Sequence, residues 1–213
     1  MSATALDAQA ASKLEACVVG GGVAIFPTDT VYGVCCDPDS EAAVRRLYEL
    51  KARPPKRPAA VMFFSLDAVL ASLGELVPGE RAVLETLLPG AVTLLLPNRG
   101  ARFLPACADD PATIGVRVPQ LSDALAPLQA VNVAVMQSSA NLSGQPDART
   151  LAEVPVQLRE NADLVLDGGV LVGKPSTVID LCHYASRGEW RVVREGALSV
   201  AAVGRLLDIG RPC

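Results

Sequence analysis

Proline and glycine cut this chain into short pieces. Sixteen prolines and 17 glycines are spread through 213 residues, and together with charged residues they interrupt every apolar run before the roughly 18 residues that a membrane-spanning helix requires. Leu87-Leu88-Pro89-Gly90 is one such break. Between the breaks, short β-prone runs alternate with amphipathic helical patterns, which predicts an α/β fold. Half of the residues are hydrophobic and 20% are charged, enough apolar surface for a continuous core and too much for disorder or collagen-like order. No stretch has linker composition and no internal repeat is visible, so residues 1–213 are expected to form a single domain.

The pattern predicts a helix over residues 5–19, ended by Gly20-Gly21-Gly22, and a buried strand Val23–Phe26 running into Pro27. Ser40 is expected to cap a helix whose Ala43, Val44, Leu47 and Leu50 form one apolar stripe. Further strands are expected at Val61–Phe64, Val92–Leu96, Thr113–Val118, Val131–Met136, Leu164–Leu166, Thr177–Leu181 and Trp190–Val193, with helices near 67–73, 79–88, 121–128 and 199–207. The amino terminus has no basic segment followed by an apolar one, so no secretory signal is expected. Cys17, Cys35, Cys36, Cys107, Cys182 and Cys213 include no CxxC pair and read as reduced, buried thiols of a cytoplasmic protein.

Two nucleotide-binding signatures fail on inspection. Gly168-Gly169-Val170-Leu171-Val172-Gly173-Lys174-Pro175 has phosphate-loop spacing until Pro175 replaces the hydroxyl residue that would hold Mg²⁺. It reads instead as a hairpin turn between two strands. After Gly20 and Gly22, the third glycine of a dinucleotide fingerprint is Ile25. His183 is the only histidine and has no cysteine at ligand spacing, so neither a zinc site nor a histidine-activated nucleophile is expected.

The stretch from Lys51 to Pro58 carries four cations, Lys51, Arg53, Lys56 and Arg57, just past a helix end. A helix dipole needs fewer. Prolines stiffen the segment, and guanidinium forks beside an ammonium suit a polyphosphate. Two polar clusters, Pro27–Gly33 and Ser138–Gly144, fall where strands are expected to end, the place where α/β sheets hold ligands. The net charge of −4 excludes a surface that attracts nucleic acid everywhere, so any anion site must be local.

These motifs carry a resemblance. PTDTVYG, KARP followed by Arg57-Pro58, TIGVRVP, SSANLSG, STVIDL and VVREGA, in this order over about residues 12–207, resemble the YrdC-like family, whose characterised members include threonylcarbamoyl-AMP synthases. The resemblance implies a twisted, mostly open mixed sheet flanked by helices, with a concave basic cavity. It further implies that L-threonine, bicarbonate and ATP, with Mg²⁺ carried on the triphosphate, give threonylcarbamoyl-AMP and pyrophosphate for a downstream tRNA-modifying threonylcarbamoyl transferase. The family signature falls on Lys51, Arg53, Ser139 and Asn141, which are the expected catalytic set. Lys51, Arg53, Arg57, Thr113, Ser139, Asp147 and Arg194 are implied to hold ATP, and Thr30, Arg117 and Ser176 to hold threonine. No protein ligand to the metal is implied. The alternative is a YrdC-like paralogue that binds nucleotide or, weakly, RNA without this chemistry. The chain departs from the family at Cys35, Ala59, Met62 and Ser138, and it lacks the extra C-terminal domain of longer synthases, so closure of the cavity is expected from elsewhere, including the termini.

Overall fold

The computed structural model describes residues 4–54 and 57–209. Pro55 and Lys56 of the basic stretch, Cys213 and the extreme termini lie outside the described residues. In chain order the strands are β1 (Thr4–Ala5), β2 (Ala24–Pro27), β3 (Tyr32–Cys36), β4 (Ala60–Met62), β5 (Val92–Pro97), β6 (Thr113–Arg117), β7 (Val135–Ser139), β8 (Leu164–Asp167), β9 (Thr177–Asp180) and β10 (Arg191–Arg194). The helices are α1 (Ala10–Val19), α2 (Glu41–Leu50), α3 (Leu66–Ser72), α4 (Pro78–Leu87), α5 (Leu104–Cys107), α6 (Val156–Asn161), α7 (Tyr184–Arg187) and α8 (Val200–Ile209), with 3₁₀ turns at Asp123–Ala130 and Leu151–Glu153. No helix among the described residues is long and apolar enough to cross a membrane.

Local chemistry sets the helix starts. The Ser40 hydroxyl accepts from Ala43 N at 3.3 Å to open α2, and Ser65 does the same for Ala68 N at 3.1 Å in α3. In α4, Pro78 occupies the first turn, where its missing N–H costs nothing, and the Glu80 carboxylate accepts from Val77 N at 3.2 Å.

The strands form one mixed sheet in the order β1-β8-β2-β3-β7-β4-β6-β5-β9-β10. Period-2 alternation divides its side chains between two cores. Ile25, Val34, Val61, Met136, Val116 and Ile179 face α2, α4 and α8, whose Leu47, Leu84 and Val203 are fully buried. Phe26, Cys35, Met62 and Val135 face the other way, onto Leu14 and Val18 of α1 and Leu128 of the longer 3₁₀ turn. Because α1 lies over β2 and β8, it covers only one side of that second face. Farther along, the same face of β4, β5 and β6 floors a cavity.

Most expected elements stand within a few residues of their predicted bounds, and the exceptions have physical causes. The first helix begins at Ala10, because Thr4–Ala5 pairs in parallel with β8. Pro127 lies inside the segment expected as a helix near 121–128, which winds as a 3₁₀ turn over Asp123–Ala130. The strand expected at Val131–Met136 starts only at Val135. The segment after β9, for which the pattern predicts no element, contains the short helix α7. Gly168–Pro175 is not a hairpin turn: β8 is already paired on both edges by β1 and β2, while β9 pairs with β5 and β10, so the segment crosses between distant strands. Strand β3 is an addition, buried at every position and hidden in the sequence by the polar run before it.

Candidate active site

The cavity has a volume of about 300 Å³ and collects residues from six strands and their ends. Its polar lining includes Arg53, Arg117, Arg194, Thr113, Ser139 and Ser176, six of the eleven residues singled out from sequence. Asp110 is the only carboxylate among its lining residues.

Each arginine is placed by a different device. Helix α2 ends with Ala52 in the left-handed region at φ 46°, its N–H bonded to Glu49 O at 3.0 Å and the Arg53 N–H to Tyr48 O at 2.9 Å. That pair of bonds is a Schellman close, and it reverses the chain so that Arg53 turns toward the sheet. The Arg53 guanidinium then lies 5.5 Å from the centre of the Tyr48 ring and donates to Ser138 Oγ at 3.0 Å and Pro58 O at 2.8 Å. Tyr48 also donates its hydroxyl to Arg57 O at 2.7 Å, so one ring steadies both ends of the basic loop.

Arg117 ends β6 and is 3% exposed. It donates from Nη2 to Asp29 and, at 2.7 Å, to Thr30 Oγ1. Both acceptors sit in the β2–β3 turn, which the Thr28 hydroxyl knits by donating to Val31 O at 2.7 Å and accepting from Thr30 N at 3.2 Å. The crossover Gly168–Pro175 braces this turn from behind, with Gly173 N donating to Thr30 O at 2.8 Å. Arg194, on β10, is exposed and donates to Ser176 O at 2.8 Å, and Ser176 Oγ lies 2.8 Å from Thr93 Oγ1.

The electrostatics favour an anion. Burial pushes the Arg53 and Arg117 guanidinium groups below their usual range, and Arg194 repels both; Asp29 opposes the shift at Arg117. Among the described residues, the buried Nε atoms of Arg53 and Arg117 have no hydrogen-bond partner. An anion entering the cavity would relieve the repulsion and supply acceptors for partly satisfied donors.

The other five candidates do not line the cavity. Lys51 is 2% exposed, and its ammonium donates to Ser139 O, to Asn141 O at 2.7 Å and to Asn141 Oδ1 at 3.1 Å. Ser139 Oγ donates to the same Asn141 Oδ1 at 2.7 Å, and Asn141 Nδ2 donates to Gln145 O. Lys51 and Asn141 thus stand behind the wall and fix the loop that presents Ser139. Burial and the neighbouring Arg53 charge lower the Lys51 ammonium to about 7, with Asp147 opposing them. Thr30 acts on the cavity through Arg117, Asp147 through Lys51, and the Arg57 side chain is exposed.

Residues not anticipated from sequence include Thr93, Asp110 and Gln137, whereas Asp29, the partner of Arg117, belongs to the polar cluster Pro27–Gly33. Alternation along β5, β6 and β7 marks Thr93, Thr113, Arg117, Gln137 and Ser139 as facing alike, but only the strand order makes them neighbours. The departures fall in different places: Ala59 and Ser138 line the cavity, whereas Cys35 and Met62 are buried beside it in the α1 core. Cys17 and Cys182 are half-buried, not buried as expected, and burial raises them and Cys107 to about 11, which leaves them as protonated, poor nucleophiles at neutral pH. His183 is exposed, and the described residues contain no group of three or more His, Cys, Asp or Glu side chains able to hold a metal ion.

Comparison with known proteins yields consistent likenesses. The Sua5, YciO and YrdC family profile, described as "Telomere recombination", matches residues 17–196. A threonylcarbamoyl-AMP synthase of Idiomarina loihiensis is 35% identical over 149 residues, covering 68% of this chain and 79% of the relative. One from Saccharophagus degradans is 33% identical over 178 residues, covering 81% and 92%. The crystal structure of Pyrococcus abyssi Sua5 complexed with L-threonine superposes with a TM-score of 0.81 at 27% identity, covering 94% of this chain, which spans 58% of that structure's length. With a matching profile over most of its length and curated relatives above 30% identity, the chain belongs to the Sua5–YciO–YrdC family.

Proposed function

We propose that the protein is an L-threonylcarbamoyladenylate synthase. Threonine and bicarbonate give N-carboxythreonine with loss of water and the ammonium proton; a carbamate oxygen then attacks the α-phosphorus of ATP, and the bond to the β-phosphate breaks to release pyrophosphate. The observation that carries this reading is the convergence of Arg53, Arg117 and Arg194 on one cavity, Arg117 buried and Arg53 half-buried, each with a buried Nε that has no partner among the described residues. Such a reaction needs charge neutralisation, alignment of two anions and exclusion of water, with no protein nucleophile. The names of the relatives support the same reaction.

In this reading Arg53, Arg194, Thr113 and Ser139 hold the triphosphate and Arg117 pairs with the threonine carboxylate, Ser176 being close by. Thr30 orients Arg117, Lys51 and Asn141 support the Ser139 loop, and Arg57 and Asp147 lie outside the cavity wall. The donor set does not build a resident metal site, since Asp110 is the single carboxylate on the wall. Mg²⁺ is therefore part of the substrate, bound by phosphate oxygens and water. The product would pass to a tRNA-modifying threonylcarbamoyl transferase.

The test is ATP turnover with threonine and bicarbonate omitted in turn, the adenylate being identified by mass. Product is expected only when all three substrates are present. Arg53→Ala should lower its formation by about 10-fold or more, because a charge-assisted phosphate bond is worth about 1.5–3 kcal/mol. Turnover indifferent to threonine and bicarbonate would overturn the reading.

A further inference from the structure

Gln137 is a buried residue whose side-chain amide makes no hydrogen bond within the fold. It is 6% exposed and lines the cavity, and among the described residues no hydrogen-bond partner holds its side chain. It rests on Gly33, where a Cβ would come within 2.9 Å of Nε2 and 3.3 Å of Cγ, so the strand beside it carries a glycine at the one place the amide needs room. An amide held in this way offers a donor and an acceptor to whatever fills the cavity.

Sheet register gives its position. Gln137 pairs with Ala60 across β7 and β4, Leu95 pairs with Gly115 across β5 and β6, and a Cβ on Gly115 would lie 3.5 Å from Ala60 Cα. Gln137, Ala60, Gly115 and Leu95 thus form one row across the floor, and Gln137 is its only polar member. Two residues along the strands in one direction are Ser139 and Thr113, in the other Arg117 and Thr93. Each step is about 7 Å. The middle row therefore stands between Ser139 and Thr113, assigned to ATP, and Arg117, assigned to threonine, with Arg194 reaching in from β10 on the Arg117 side, where it pairs with Val178 beside Thr93; the group that joins the two substrates is the carbamate.

We infer that Gln137 binds and orients the carbamate of N-carboxythreonine, an inference that rests on the synthase reading. The carbamate N–H donates to Oε1, and the oxygen syn to that N–H accepts from Nε2, so the two planar groups pair through two hydrogen bonds. The remaining carbamate oxygen is left free to form the bond to the α-phosphorus as pyrophosphate departs. Gln137 exchanges no proton and forms no covalent bond.

The test compares wild type with Gln137→Leu and Gln137→Glu, following threonylcarbamoyl-AMP by mass while bicarbonate, threonine and ATP are varied separately. Gln137→Leu should lower kcat/KM for bicarbonate by about 10-fold or more and leave KM for threonine and ATP within about twofold, as expected for loss of hydrogen bonds made to one group. Gln137→Glu should lose more, because its carboxylate lacks the N–H and repels the carbamate. Thermal midpoints of both should stay near wild type, since the amide bonds no protein group. Wild-type bicarbonate dependence in both variants, equal losses for all three substrates, or unfolding of both variants would overturn the role of Gln137 while leaving the synthase reading in place. Wild-type turnover without threonine and bicarbonate would remove the synthase reading, and the carbamate role with it.

Discussion

A lysine ammonium enclosed by three acceptors and a neighbouring guanidinium is pulled in two directions. The acceptors of Ser139 and Asn141 favour the charged form, whereas burial and Arg53 lower its pKa from 10.5 to about 7. The unfolded chain keeps the proton up to about pH 10.5, so between about 7 and 10.5 the folded state binds fewer protons, and stability from this residue rises with pH across that window. The slope is at most about 1.4 kcal/mol per pH unit for one proton. Urea unfolding at pH 7, 8 and 9 should show wild type gaining stability relative to Lys51→Met as pH rises. A constant difference would mean that Lys51 stays charged in the folded protein. The same residue illustrates what motif reading supplies at this scale. Arg53, Thr113, Arg117, Ser139, Ser176 and Arg194 were legible as lining residues because they stand in recognisable ordered motifs. A lysine in a basic run reads as reaching for ligand, but the acceptors that turn Lys51 inward arrive 88 to 90 residues later in the chain. Gln137 was illegible for a related reason: it stands in no basic or hydroxyl-rich signal, and its importance comes from facing Ala60 across the sheet.

The close of α2 shows how a short element positions chemistry at an energetic cost. Ala52 occupies the left-handed position that glycine usually takes, at φ 46°, and its side chain is exposed. An alanine there costs about 1–2 kcal/mol in the folded state, while its restriction of the unfolded chain returns about 0.4–1 kcal/mol. Ala52→Gly should therefore stabilise the protein by up to about 1.6 kcal/mol, seen as a higher urea midpoint with an unchanged slope. A lower midpoint would show that Ala52 is unstrained or makes contacts of its own. Elements of this kind were readable where a cap and a stripe coincide, as with Ser40 ahead of Ala43, Val44 and Leu47. They were less readable where pairing decides the outcome. Strand β3 is buried throughout because β2 and β7 flank it, and Gly168–Pro175 became a crossover because β8 had both edges occupied. Periodicity reports which face a side chain takes, but strand order depends on contacts between distant segments.

On the scale of the whole molecule, charge separates the synthase from an RNA-binding paralogue. The net charge is −4, yet the cavity lining holds three arginines against one aspartate, so attraction for anions is concentrated inside a concavity of about 300 Å³. A space of that size accepts substrate groups such as a triphosphate or an amino acid, and a polynucleotide backbone would have to track cations across the surface instead. Salt should then act differently in the two cases. Single-stranded RNA binding loses affinity with a logarithmic slope of about 0.7 per phosphate neutralised, through counterion release. A cavity enzyme should consume ATP without any RNA, only in the presence of threonine and bicarbonate, and added tRNA should neither be required nor accelerate it. Serine should replace threonine poorly, although one methyl group permits discrimination of only about 10–200-fold. Turnover assays with and without tRNA, run beside an RNA-binding titration at two salt concentrations, make the distinction. Tight, strongly salt-sensitive RNA binding together with threonine-independent turnover would make the arginine cavity a binding surface and leave only the fold and family assignment standing.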